Sequence, residues 1–284
     1  MYKELGALPS EIINFKSSKN MVDTNKELVW DVENAKAETL LQNGAQNYFK
    51  KEFPDLNQAF VKEIDTVVCI DEGCAHKDIS GHGKLSIAGG GILLPARSAD
   101  ERIEIAARLF KELGVKNVTS HEGCGAAKLA YGRDNPDSNP TKEQVNEYAK
   151  IWAEKVAQKM GAGVMADHIP LAEMERPAQF HNARVLYFAA GGGFNPNKEK
   201  GLPMGFVISR RHVPGDYALE ELKVAVGIAF GGHGFGEFFN DKNQFVIIPL
   251  TSDAASLQAA EEEIKNALAG NENFSKIKID GVVI

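Results

Sequence analysis

The chain has 284 residues, of which 43% are hydrophobic and 25% charged, with a formal net charge of −7. This is the composition of a globular protein long enough to bury a sizeable core, and its acidic sign argues against a nucleic-acid backbone or an anionic membrane surface as partner. No apolar run reaches the length of a membrane span, Met1-Tyr2-Lys3-Glu4 lacks a signal peptide's apolar centre, and an odd count of three cysteines suits metal ligation better than a disulfide framework. The expectation is a cytoplasmic protein acting on a small-molecule substrate, with no nucleic-acid and no membrane partner.

Residues 1–24 show no clear period and read as an arm. Asp23 or Thr24 is placed to cap a helix over about 26–50, with Leu28, Val32, Ala35, Leu40 and Tyr48 on one face, and a short helix is expected over about 57–63. Thr66-Val67-Val68 has strand character and runs into Cys69-Ile70-Asp71-Glu72-Gly73-Cys74. The loop that follows is dense in groups able to bind or transfer protons: Glu72, Cys74, His76, Lys77, Asp78 and His82. Gly89-Gly90-Gly91 lacks the context of a phosphate-binding loop, so it reads as close backbone packing beside the site.

A helix is predicted over 98–113 from Ile103, Ala106, Ala107, Phe110 and Leu113, followed by a strand over 115–119 that runs into His121-Glu122-Gly123-Cys124. A helix to about Tyr131, a loop over 132–140 and a helix from Thr141 to about Met160, with a Thr141/Gln144 capping box, come next. Strands are expected over 184–190, 206–209, 244–250 and 276–284, with helices over 217–230 and 254–268. Glycine turns at 191–193 and 231–236, the second containing His233, fall at strand or helix ends, where open α/β folds place ligands. No fixed-period repeat is evident.

Strand, helix, strand is a crossover unit that brings both strand ends to one edge of a parallel sheet. Cys69 and His121, 52 residues apart (121 − 69), can therefore meet, with Cys124 three residues on. Thiolate sulfur and imidazole nitrogen are zinc's preferred donors; three protein ligands leave one exchangeable position, whereas four close a structural site. The fourth position falls to the carboxylate of Asp71, or to a water that Asp71 hydrogen-bonds. Cys74, if it joined, would close the site. The competing reading makes Cys69 and Cys124 small buried hydrophobes and His121 a helix cap.

Cys69-x-Asp71 after one strand and His121-x-x-Cys124 after the next crossover resemble the β-carbonic anhydrases over about residues 65–129. Lys84 to Gly91 is similar to that family's short strand and small-residue turn, and Gly123 with Gly125-Ala126-Ala127 to its glycine-rich helix start. The resemblance implies Zn2+ on Cys69, His121 and Cys124, with Asp71 as catalytic residue or fourth ligand and Gly89, Gly90 and Gly125 beside the substrate cleft. It implies reversible hydration of CO2 to bicarbonate by hydroxide on zinc, and a homodimer or higher homo-oligomer in which the N-terminal helices reach a second subunit. One departure stands out: the family's Arg, two residues past the Asp, is Gly73 here. Lys77 and Arg97 are the candidate replacements.

The expected fold is α/β, a mostly parallel sheet flanked by helices. It divides into an N-terminal helical arm over 1–64, a zinc-binding core over 65–203 and a C-terminal α/β extension of the same sheet over 204–284. Two other functions stay open: hydrolysis of COS or CS2 on the same scaffold, which relatives of the family perform, and a non-catalytic zinc-binding or regulatory role.

Overall fold

The computed structural model describes residues 25–53, 60–61, 63–76, 83–190, 193–194, 196 and 201–284. Asn25 caps α1 (Lys26–Asn43), its Oδ1 accepting the amides of Glu27 and Leu28, while the expected caps Asp23 and Thr24 lie outside the described residues. Gly44, at φ +74°, ends that helix and α2 (Ala45–Glu52) begins after it, so the single helix expected over 26–50 is two. Trp30 of α1 packs on Phe235, Phe238 and Phe239 with ring centroids 5.1–5.4 Å apart, and Glu33 accepts the amide of Met204 at 2.6 Å. The helix thus lies across the C-terminal half of its own chain.

β1 (Phe60–Val61) is a strand where a short helix was expected; residues 54–59 and 62 lie outside the described set. β2 (Ile64–Val68) leads to α3 (Glu72–Ala75), a single turn, and β3 (Gly83–Ser86). Ser98 caps α4 (Ala99–Glu112), whose buried side holds Ala106, Ala107 and Phe110. β4 (Asn117–His121), α5 (Gly125–Asp134) and α6 (Lys142–Met160) follow, with the Thr141/Gln144 capping box formed as expected. β5 (Met165–Ile169) completes a parallel four-stranded sheet in the order β3-β2-β4-β5. The sequence reading missed β5 because Met165, Ala166 and Asp167 are exposed at the sheet edge and form no apolar run.

The second half supplies β6 (Val185–Ala189), β7 (Gly193–Phe194), β8 (Gly205–Ile208), α7 (Gly215–Phe230), β9 (Phe245–Thr251), α8 (Ala254–Leu268), β10 (Ile277–Ile279) and β11 (Val282–Val283). β6 and β9 are buried along their whole length, as strands of a parallel sheet covered on both faces must be. These strands do not extend the first sheet. They form a second parallel sheet in the order β10-β9-β6-β8, with β11 also on β9, while β1 and β7 pair antiparallel outside both sheets.

In both sheets the strand that comes first in the chain lies between the second and the third, with the fourth outermost beside the third. The two halves therefore share one strand order, a repeat that no sequence period announced. They meet where their second strands end. The amide of Ser86 donates to Ser209 Oγ at 3.0 Å, and the amide of Ser209 donates to the Ser86 carbonyl at 3.2 Å. No helix among the described residues is long and apolar enough to cross a membrane.

Candidate metal centre

Parallel pairing of β2 and β4, with Thr66 opposite Asn117 and Val67 opposite Val118, brings the ends of both strands to one edge. Cys69 follows β2, His121 closes β4 and Cys124 stands at the N-terminus of α5. One ligand atom from each of the three lies within 4.8 Å of the other two, and all three residues are buried. His121 Nδ1 sits 2.9 Å from the Glu122 carbonyl oxygen, which only accepts, so Nδ1 carries a proton there. That leaves Nε2, which is buried and has no hydrogen-bond partner.

The two sulfurs are not equivalent: the neighbouring Cys124 and burial push the Cys69 thiol well up. The Gly89 amide donates to Cys69 Sγ at 3.2 Å. The thiol of Cys69 beside Cys124, together with the amides of Ala126 and Ala127, holds Cys124 below its ordinary pKa despite burial. Burial opposes charge on His121, yet the Cys69 sulfur raises its ring to about 9. Two soft sulfurs and an orphaned imidazole nitrogen fit a divalent ion of the zinc type, with three protein donors. Cys74 is buried but is not part of this group, and neither is Asp71; the closed site that Cys74 would have made is not formed.

Asp71 instead caps α3, its Oδ1 accepting the Gly73 amide at 2.9 Å, and takes a two-pronged contact from Arg176: Nε to Oδ1 at 2.8 Å and Nη2 to Oδ2 at 3.0 Å. Both side chains are almost wholly buried. Burial by itself would raise the Asp71 carboxyl; the Arg176 guanidinium, helped by His181 and His121, overcomes it and holds the group well below the usual carboxylate range. The cation absent at position 73 therefore arrives from position 176. A Cβ on residue 73 would meet Arg176 Cγ at 2.7 Å, so glycine there makes room for it. Of the candidates from sequence, Arg97 pairs on the surface with Glu101 and Lys77 lies outside the described residues, as do Asp78 and His82.

A small cavity of about 20 Å³ opens onto the site. Its polar wall is Cys69, Asp71, His121 and His181; its apolar wall is Ile70, Ala88, Ala126 and, from α7 of the second half, Val224 and Ile228. Gly125 lines it too. Gly89 and Gly90, expected beside the cleft, are not among its lining residues: a Cβ on Gly89 would approach Ala126 at 2.9 Å and Cys124 Sγ at 3.4 Å, and the Gly90 carbonyl accepts from Trp152 Nε1 at 3.1 Å.

His181 and Arg176 are the residues that sequence reasoning missed. His181 Nδ1 lies 3.0 Å from a carboxylate oxygen of the fully buried Glu72, whose other oxygen accepts the Asn182 amide at 2.8 Å. Burial lowers the His181 pKa, but Glu72 and Asp71 raise it further, for a net upward shift. Asp71, Glu72 and His181 also place ligand atoms within 4.8 Å of one another, but Arg176 already supplies the positive charge there. His76 is turned away, its Nε2 at 3.2 Å from the Gly205 carbonyl, and His233 contributes only its carbonyl, to the His181 amide. No family model matches the chain, and no curated protein and no solved structure does either.

Proposed function

We propose that the chain is a zinc lyase of the β-carbonic anhydrase type that interconverts CO2 and bicarbonate. The observation that carries this reading is the Asp71–Arg176 pair beside the Cys69, His121, Cys124 donor set. Zn2+ held by these donors acts as a Lewis acid that makes a water molecule acidic near neutral pH. Cys69, His121 and Cys124 hold the ion. Arg176 keeps Asp71 ionised, so its carboxylate accepts a hydrogen bond and orients the attacking water. A carboxylate so strongly held in its charged form is an acceptor, not a store for the proton, which passes on to solvent. The apolar wall of Val224, Ile228 and Ala126 suits an uncharged linear substrate.

Arg176 supplies beside Asp71 the cation that position 73 lacks, which favours a catalytic reading of the site over a purely metal-binding one. Stopped-flow CO2 hydration by zinc-loaded protein across pH 7 to 9 tests the proposal, with Cys124→Ser as blank. The expected result is a rate above the blank that rises with pH and is lost in Asp71→Asn while zinc is retained. A rate equal to the blank in protein that holds zinc overturns it, and COS turnover by the same sample would transfer the assignment to the hydrolase reading.

A further inference from the structure

α7 belongs to the second half, yet one of its faces is turned to the first half's site. Tyr217, Glu221, Val224 and Ile228 recur at helical spacing, and the last two wall the cavity. Glu221 is 2% exposed, and its Oε1 accepts the Ala88 amide at 2.5 Å. The next amide along the chain, that of Gly89, donates to Cys69 Sγ at 3.2 Å. Two consecutive amides thus connect a carboxyl on α7 to a sulfur of the donor set. Glu221 and Tyr217, one helical turn apart, are both buried, and the Tyr217 hydroxyl interacts with the Glu221 carboxyl. A buried carboxyl with no cation on it is costly, and an apolar side chain of the same length would avoid that cost.

We infer that Glu221 is a positioning residue of the metal centre: it holds the Ala88 amide and thereby aims the Gly89 N–H at the sulfur of Cys69. An amide directed at a thiolate draws charge from it and leaves it a weaker donor. This matters in a site with two sulfurs, where strong donation would blunt the acidity of the ion they hold. The geometry stands on its own; its effect on the metal rests on the zinc reading above.

Three readouts test the inference: hydrogen exchange of the Gly89 amide in metal-free protein, zinc affinity by chelator competition, and the sulfur-to-metal charge-transfer band of cobalt-loaded protein. Glu221→Met removes the acceptor at similar volume. It is expected to speed Gly89 exchange at least about tenfold, to weaken zinc binding about 10- to 100-fold because the Cys69 sulfur is less well placed and keeps its proton more tightly without the amide, and to shift the band to lower energy as the sulfur becomes the stronger donor. Glu221→Gln keeps an oxygen for the Ala88 amide and is expected to match the wild type in all three. Glu221→Asp falls one carbon short of the amide and should behave like Glu221→Met, which keeps the test open if the methionine variant fails to fold. Unchanged Gly89 exchange in the variants that lose the contact overturns the inference whatever the metal does. Unchanged affinity and band overturn the effect on the sulfur. A wild type that binds neither ion defeats the zinc reading alone, since Gly89 exchange still decides the geometry.

Discussion

A Cβ on residue 73 would stand 2.7 Å from Cγ of Arg176, so the glycine is the space through which the arginine stem passes. Arg176 reaches Asp71 from 105 residues away in the chain. The carboxylate depends on that reach, because Asp71 is buried and the Arg176 guanidinium carries the main charge that offsets it.

Gly73→Ala should therefore act at a distance. Arg176 is fixed at its far end by both carboxylate oxygens, so its mid-chain carbon cannot step aside freely, and Met174 Cε lies only 3.0 Å from the added methyl. The expected loss is about 1–3 kcal/mol of stability from overpacking, with CO2 hydration reduced more than zinc affinity. Urea unfolding and stopped-flow rates on one preparation check this.

Arg176→Ala leaves the Asp71 carboxylate buried without a cation. Breaking such a pair costs about 3–5 kcal/mol, so this variant should unfold in markedly less urea and lose hydration. Arg176→Lys keeps the charge but not the two-pronged contact and should fall between. Equal stability of the wild type and both variants would remove the pair from the account.

Glu221 gives the protein a pH dependence opposite to that of a salt-bridged acid. Burial raises its carboxyl to about 8, above the ordinary value of 4.5. The folded state therefore prefers the protonated form. Its contribution is fully present below pH 4.5 and is lost as pH rises towards 8, a change on the order of a few kcal/mol at most. Glu221→Gln should flatten that part of the profile, so that its stability relative to the wild type improves steadily from pH 5 to pH 8. Unfolding midpoints measured at several pH values give the slope directly.

Val224 and Ile228 line the cavity from α7. Val224→Phe should fill it, abolishing CO2 hydration while zinc binding stays within about threefold, because the residue touches none of the donor atoms' hydrogen bonds. Val224→Ala should enlarge it and raise the ratio of COS turnover to CO2 hydration. A phenylalanine variant with full activity would place the substrate elsewhere.

Much of the donor set was legible because it is written locally. Cys69 follows the apolar run Thr66-Val67-Val68, His121 closes β4, and the well-capped α4 lies between them, an order that brings both to one edge of a parallel sheet. Arg176 and His181 were not legible, since they sit in the irregular stretch between β5 and β6, where no period signals which way a side chain points. Gly73 was visible only as a departure, since the atom that replaces its missing side chain belongs to a residue far along the chain. The shared strand order of the two sheets was hidden for another reason: it is a property of which strands neighbour one another, and the apolar runs of β6 and β9 carry no trace of it.

The shared order bears on how the site responds to dilution. One wall of the cavity, and the carboxyl that holds the Ala88 amide, come from the second half, and the same chain joins that half to the donors. A site completed across separate subunits comes apart as the protein is thinned, because its assembly follows mass action. Here the tether fixes the local concentration of the wall, so the contact of Val224, Ile228 and Glu221 with the donor region does not follow mass action, and Gly89 amide exchange should be the same in dilute and concentrated protein.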